Sequence, residues 1–232
     1  MGRLHTLWDI TDASFRVLVH PWFGATLRGA VTNDDLHSDM LGDDIVAHPA
    51  RTVTRASIID AAPDDVWPWL AQMMRGGGVY GWKSLETPEF RSADYLLSGL
   101  AAPEIGDHVG NVFEIARVNT AREIVWRALG GVDLLGLHLT ALTLDYLLHC
   151  TADGRCRIVV RMRGSCRQLT GQVCSHLLEV LDFVLPAPQL ASLKDYIETY
   201  EQRLPVRDIN RCRVKRHQAA ESRRAAQQVD AR

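Results

Sequence analysis

The stretch that decides the fold is GDDIVAHPARTVTRASIIDAAPDDVWPWLAQM, residues 42–73. Its middle part, RTVTRASII at residues 51–59, is rich in β-branched residues and predicts a strand. Pro63 then stands at a first-turn position with two acidic residues behind it, which indicates the start of a helix. One apolar stripe continues that helix: Val66, Leu70 and Met73. The stretch therefore predicts a strand followed by a helix over residues 63–74.

Downstream of this stretch, the sequence predicts an antiparallel sheet. Strand-like runs occur at residues 111–118, 122–129, 142–150 and 155–163. In the last run four apolar residues alternate with arginines: Cys156, Ile158, Val160 and Met162. Such alternation is typical of a sheet with one buried face and one hydrated face. In the preceding run Tyr146 shares a face with leucines, so the hairpin presents an apolar wall that carries one phenol.

Further helices are predicted before and after these strands in the sequence. Ser92 is a suitable cap for a short helix at residues 92–100, after a loop rich in aromatic residues. Apolar residues at helical spacing predict a C-terminal helix at 170–185, which Pro186 and Pro188 interrupt before it resumes at 190–204.

The opening stretch resembles bacterial proteins of the SRPBCC superfamily, which includes START-like, polyketide-cyclase-like and Bet v 1-like proteins. In those proteins a G-D-D/E turn leads to TRA-x-x-I and then to AP-x-x-VWPWL-x-Q. GVYGWKSLE at residues 78–86 is similar to their glycine-aromatic loop, and DFVLPAPQLASLKDYIE at 182–198 resembles their terminal helix more loosely. The similarity covers about residues 28–204, and GGVDLLGLHL at 130–139 departs from it.

The resemblance implies an α+β, helix-grip fold, in which a curved antiparallel sheet is wrapped around a long C-terminal helix. It also implies an internal cavity, because members of the superfamily bind lipids, sterols or polyketides, and some are cyclases or dehydratases. We expect an N-terminal extension at residues 1–40, the helix-grip domain at 41–204 and a basic, disordered tail at 205–232.

Composition argues against several classes of function. The 232 residues include 26 basic and 28 acidic side chains, so no strong net charge attracts the chain to nucleic acid or to an anionic membrane. The apolar patch at residues 15–23 is too short and too interrupted for a membrane span or a signal-peptide core. The five cysteines have no framework spacing, which favours reduced thiols and predicts a cytoplasmic protein.

Large side chains are expected to line the cavity. A curved sheet cannot collapse completely onto a straight helix, so a gap lined by inward apolar side chains remains. The residues predicted to line or roof it are Trp69, Met73, Tyr80, Trp82, Tyr95, Phe113, Trp126, Tyr146 and Phe183. For each ring, packing in the core is the commoner role, because large rings dominate burial wherever they lie.

Catalysis in such a cavity requires a polar group that donates or accepts a proton. The candidates are Tyr146, His138, His176 and Arg161. Each also fits a structural role, as a satisfied buried residue or, for Arg161, as a hydrated or ion-paired surface residue. No metal is predicted, because Cys174 and His176 lack further ligands at metal-site spacing, and no dinucleotide or phosphate-binding motif predicts a cofactor.

Three functions follow from these observations. The favoured one is binding of a small hydrophobic ligand, namely a lipid, a polyketide or an aromatic metabolite, without chemistry. The second is a cyclase- or dehydratase-like enzyme with a cavity tyrosine or histidine as acid or base. The third is a partner-binding regulatory domain that uses the N-terminal aromatic residues and the basic tail, although no protein partner is identified.

Overall fold

The computed structural model describes residues 31–80, 92–110, 112–130, 132–134, 137–166, 174–175, 178–179, 181–182 and 185–203. Its helices are α1 (Asn33–His37), α2 (Pro63–Gln72) and α3 (Pro186–Arg203), and the described residues from 174 to 182 are also helical. Its strands are β1 (Arg51–Ile59), β2 (His108–Val109), β3 (Phe113–Asn119), β4 (Glu123–Ala128), β5 (Val132–Leu134), β6 (Leu137–Cys150) and β7 (Cys156–Cys166). None of the helices in these ranges has the length and apolar character needed to cross a membrane.

All the described strands form one antiparallel sheet in the order β1-β7-β6-β4-β3-β2, with β5 paired to β6. The predicted strand at 51–59 is confirmed at both ends, and the four later strands are confirmed with shifted ends. Two helix predictions are wrong. Residues 92–100 contain no helix. The last helix begins at Pro186 rather than after Pro188, because proline is compatible with the first turn of a helix, where its missing N–H costs no bond.

Two irregularities in strand pairing bend the sheet. The register shifts between Ile115 and Arg117 on β3, and between Leu139 and Ala141 on β6. A bulge of this kind bends its strand and increases the local twist. The long helix α3 packs against β1 and α2 and buries its apolar side in the core of the domain. The chain therefore has the α+β, helix-grip fold, with a curved antiparallel sheet around a C-terminal helix.

The opposite face of the sheet is covered by residues 31–50, which we call the outer strap. Arg161 on β7 is only 4% exposed and donates to Asp43 Oδ2 at 2.6 Å and to the carbonyl oxygen of Asp35 at 2.7 Å. Arg157 donates to the Asp35 carboxylate at 2.9 Å. The prediction of a hydrated outer face is therefore wrong at Arg161, because the strap supplies partners that the strand pattern does not show. The proposed division of the chain at residues 40 and 204 stays a prediction.

A disulfide joins Cys166, the last residue of β7, to Cys174 in the helical residues before α3. The expectation that the cysteines are all reduced is wrong for this pair, because the fold brings together residues that have no framework spacing in sequence. Cys150 and Cys156 are free thiols that face each other across the β6–β7 hairpin. Burial raises the pKa of Cys156 to about 12, so this thiol remains protonated and unreactive.

Candidate functional site: the interior between the sheet and the C-terminal helix

The inward face of the sheet carries a group of buried aromatic rings. Trp126 on β4 and Tyr146 on β6 have ring centroids 4.8 Å apart, and Phe113 on β3 is 6.3 Å from Trp126. Leu144 lies opposite Trp126 in the ladder and is fully buried beside it. Because opposite residues of an antiparallel ladder share a face, these side chains form one continuous apolar wall.

A second group of rings lies where α2, α3 and the chain just before residue 81 meet. The ring centroid of Trp69 on α2 lies 6.2 Å from that of Tyr80 and 5.2 Å from that of Tyr200. Tyr80 in turn lies 5.3 Å from Tyr196 on α3. All three contacts are edge-to-face, the arrangement that the ring quadrupoles favour. The last helix therefore adds aromatic side chains to the interior.

A buried polar contact connects β6 to α3. Tyr146 Oη donates to Gln189 Oε1 at 2.8 Å, and Gln189 Nε2 donates to the carbonyl oxygen of Val79 at 3.2 Å. Burial raises the pKa of Tyr146 above its ordinary value, so the phenol keeps its proton and acts as a donor. The role of Tyr146 as an acid or base stays a prediction, and its hydroxyl is engaged with Gln189. Gln189 is not evident as a site residue from the sequence, where it is one polar residue in an amphipathic helical pattern.

A similar contact lies beside α2. Gln72 Nε2 donates to Tyr80 Oη at 2.6 Å, and Tyr80 Oη donates to the carbonyl oxygen of Ala93 at 2.9 Å. Ser92, the predicted helix cap, instead accepts the backbone N–H of Tyr80 at 2.9 Å through its hydroxyl. These bonds fasten the chain on both sides of residues 81–91 to the domain.

One charged pair is buried on the inward side of the sheet. Arg55 on β1 donates through Nε to the two carboxylate oxygens of Asp182, at 2.7 and 2.8 Å. Their side chains are only 9% and 5% exposed. Burial raises the pKa of Asp182, although the hydrogen bond from Arg55 opposes this change. The pair is not evident from the sequence, although Arg55 alternates in phase with the inward residues Val53 and Ile59.

The indole N–H of Trp126 differs from these satisfied groups. Trp126 is fully buried, and its Nε1 has no hydrogen-bond partner within the part of the chain that the structure describes. A buried donor without an acceptor costs about 1–3 kcal/mol. The aromatic wall thus contains a donor that the described residues leave unsatisfied.

Most of the predicted cavity residues that the structure describes lie in this interior. Six are buried there: Trp69, Met73, Tyr80, Phe113, Trp126 and Tyr146. Their contact with a ligand stays a prediction. The placement of Tyr95 is wrong, because its side chain is 57% exposed. Arg161 is excluded as a cavity group, because it lies on the outer face and is bound to the strap. Three predicted residues lie outside the described residues, Trp82, Phe183 and His176, as does the side chain of His138.

On the outer face, two carboxyl groups meet under the strap. Glu123 Oε1 accepts the backbone N–H of Leu41, and Asp145 Oδ2 accepts that of Gly42, both at 2.7 Å. Burial, followed by the charge of Glu123, raises the pKa of Asp145 to about 8. Asp145 Oδ1 is buried without a hydrogen-bond partner among the described residues, and the raised pKa favours a protonated Asp145 at neutral pH. Among the described residues, no cluster of His, Cys, Asp and Glu has the arrangement of a metal site.

The curved sheet, the enclosed helix and the aromatic interior define a helix-grip protein. No family model and no curated protein matches the sequence. Among solved structures, a Nitrosospira multiformis protein is 12% identical with a TM-score of 0.44, and the alignment covers 66% of this chain and 100% of the other. The Zhui aromatase/cyclase from Streptomyces sp. R1128 is 17% identical with a TM-score of 0.38, and the alignment covers 67% and 96%. CalU16 from Micromonospora echinospora is 14% identical with a TM-score of 0.35, and the alignment covers 75% and 90%. All three TM-scores are below 0.5, so the fold assignment rests on the strand order and the helix position.

Proposed function

We propose that the protein binds a small, mainly apolar molecule between the inward face of the sheet and α3. A lipid, a polyketide or an aromatic metabolite has the required chemistry. The observation that carries this proposal is the combination of large rings with a few buried, hydrogen-bonded polar side chains. Small-molecule sites have this composition, with apolar and aromatic walls and a few polar groups that fix orientation. A core that serves packing alone does not need buried amides and phenols, each of which requires a partner.

Binding without chemistry is the function that the polar groups favour. The Tyr146 phenol is engaged with Gln189, and the Tyr80 phenol is engaged with Gln72 and Ala93. General acid–base catalysis requires a group that can exchange a proton with the substrate near the working pH. Both phenols instead hold the walls of the site together. A cyclase- or dehydratase-like reaction therefore stays a separate hypothesis that depends on His138 or His176.

Two leucines on β6 provide a matched test. Leu144 faces the interior beside Trp126, whereas Leu147 lies in the small apolar cluster under the outer strap; both are at most 2% exposed. Leu144→Phe adds volume where the ligand is proposed to lie, and Leu147→Phe adds the same volume on the other face. The two substitutions carry a similar risk of overpacking.

The full chain is titrated calorimetrically with 9-fluorenone and with fluorene, two tricyclic probes of equal size. We expect one binding site, about tenfold weaker binding in Leu144→Phe, which corresponds to about 1.4 kcal/mol, and less than twofold change in Leu147→Phe. Circular dichroism of both variants serves as the control for folding. The proposal is overturned if neither probe binds the wild-type chain, or if both substitutions weaken binding equally.

A further inference from the structure

The described side chains in ring contact with Trp126 offer no acceptor to its indole N–H. Tyr146 on β6 directs its hydroxyl to Gln189, and the side chain of Phe113 has no polar atom. Leu144, opposite Trp126 in the ladder, has none either. The indole N–H is therefore a donor set in an apolar wall, with no acceptor among the described residues.

We propose that the ligand carries a neutral acceptor oxygen, such as a ketone, quinone or ester carbonyl, which accepts a hydrogen bond from Trp126 Nε1. This inference rests on the proposed function and names the ligand class of the same site. An indole N–H can only donate, so its partner must be an acceptor. A bond made only when the ligand is present removes the cost of the unsatisfied donor, and that gain favours the ligand over apolar molecules of the same shape.

The acceptor is neutral because the residues that the structure describes place no unpaired cation in the interior to neutralise an anion. Arg55, the buried cation of the inward face, is held by both carboxylate oxygens of Asp182. Transfer of an unpaired carboxylate or phosphate into an apolar interior is strongly unfavourable. A carbonyl oxygen carries only a partial charge, so one donor is enough to satisfy it.

The frame that carries the carbonyl is flat and aromatic. The rings of Tyr146 and Phe113 flank Trp126 with centroids 4.8 and 6.3 Å away, and their planes are tilted by 52° and 42° to the indole. Offset and tilted contacts of this kind also suit an inserted aromatic ring, which gains from edge and face contacts with each wall ring. A flexible alkyl chain makes no such directional contacts.

The test combines two ligands with two proteins. 9-Fluorenone and fluorene have the same tricyclic frame, but only fluorenone has an acceptor oxygen. In the wild-type full chain we expect fluorenone to bind about tenfold more tightly than fluorene. In Trp126→Phe we expect the two affinities to agree within about twofold, because the donor is gone. Phe113→Leu is the control: it removes a wall ring, and we expect weaker binding of both probes with their ratio unchanged.

A second measurement does not depend on a variant. In a 15N-labelled wild-type chain, the Trp126 indole N–H resonance is expected to move downfield with fluorenone and not with fluorene. Equal affinity of the wild-type chain for the two probes overturns the inference and leaves the proposed function intact. Binding of neither probe overturns both. A fluorenone preference that persists in Trp126→Phe, or an unmoved indole resonance at saturation, shows that the donor is not Trp126.

Discussion

Replacement of Asp145 by asparagine is expected to change how the stability of the fold depends on pH. Asp145 Oδ2 accepts the Gly42 N–H of the strap, and the carboxyl group of Glu123 contributes to its raised pKa. An asparagine reproduces the protonated acid, because its oxygen accepts from Gly42 and its side chain is uncharged. The substitution therefore keeps the contacts and removes the titration.

The magnitude follows from the pKa of this one group. Its value is 3.8 in an unperturbed chain and about 8 in the folded protein, so between these pH values folded Asp145 retains a proton that the unfolded chain has lost. The stability that this retained proton contributes is fully present below the unfolded-state pKa of Asp145, and it is lost as the pH rises to the folded-state pKa. The free energy of unfolding of the wild type should therefore fall, relative to Asp145→Asn, by up to about 1.4 kcal/mol per pH unit. From pH 5 to pH 8 the difference reaches at most about 4 kcal/mol, and above pH 8 it stops growing.

Urea unfolding of both proteins at pH 5, 6, 7, 8 and 9 measures this difference. His149, whose pKa burial lowers, and Asp35, whose pKa lies at about 2, titrate in both proteins, so their contributions cancel. Glu123, whose pKa burial raises, interacts with Asp145, so the difference between the two profiles reports these two carboxyl groups together. Asp44→Asn is the control, because this strap acid has a 69% exposed side chain and its substitution should leave the slope unchanged. Parallel profiles for wild type and Asp145→Asn would refute the reasoning, since they would mean that Asp145 is ionised throughout.

Three further predictions concern stability. Gly42→Ala places a Cβ 2.8 Å from Val125 Cγ1 and 2.9 Å from Asp145 Oδ2, so the urea midpoint should fall by the equivalent of about 1–3 kcal/mol; an unchanged midpoint would contradict the tight fit of the strap. Arg55→Met and Asp182→Leu should each cost about 3–5 kcal/mol because each leaves a buried charge, and the double variant should recover most of that loss; additive losses in this double-mutant cycle would contradict the pairing. Cys166→Ser should lower the free energy of unfolding by about 2–3 kcal/mol and abolish its dependence on dithiothreitol, and a wild type insensitive to dithiothreitol would argue against the bond to Cys174.

The sequence predicts well those elements that have a strong local pattern. The strand at residues 51–59 follows from its β-branched residues, and the start of α2 follows from Pro63 and the acids behind it. The inward face of β7 follows from the alternation of its four apolar residues with mostly basic ones, and the burial of all four confirms it. In each case the information lies within a few residues, so the period of the pattern is sufficient.

The remaining features depend on partners that are distant in sequence. Arg161 looks like an exposed strand residue, but its partner Asp43 is 118 positions away. Arg55 lies in phase with inward residues, but its partner Asp182 is 127 positions away, so the strand pattern does not show the pair. Tyr95 shows the opposite error, because an aromatic residue in a covering loop suggests burial and the backbone instead turns it outward. Periodicity records the polarity of a face and not what covers it, so the strap and the buried ion pair are visible only in three dimensions.

A crystal structure of the chain with 9-fluorenone would locate the ligand. We expect the tricycle between the inward face of β4 and β6 and the helix α3, with its oxygen about 3 Å from Trp126 Nε1. A fluorenone bound only in the surface pocket beside Arg117 and Glu123, with the interior filled by side chains, would contradict this expectation.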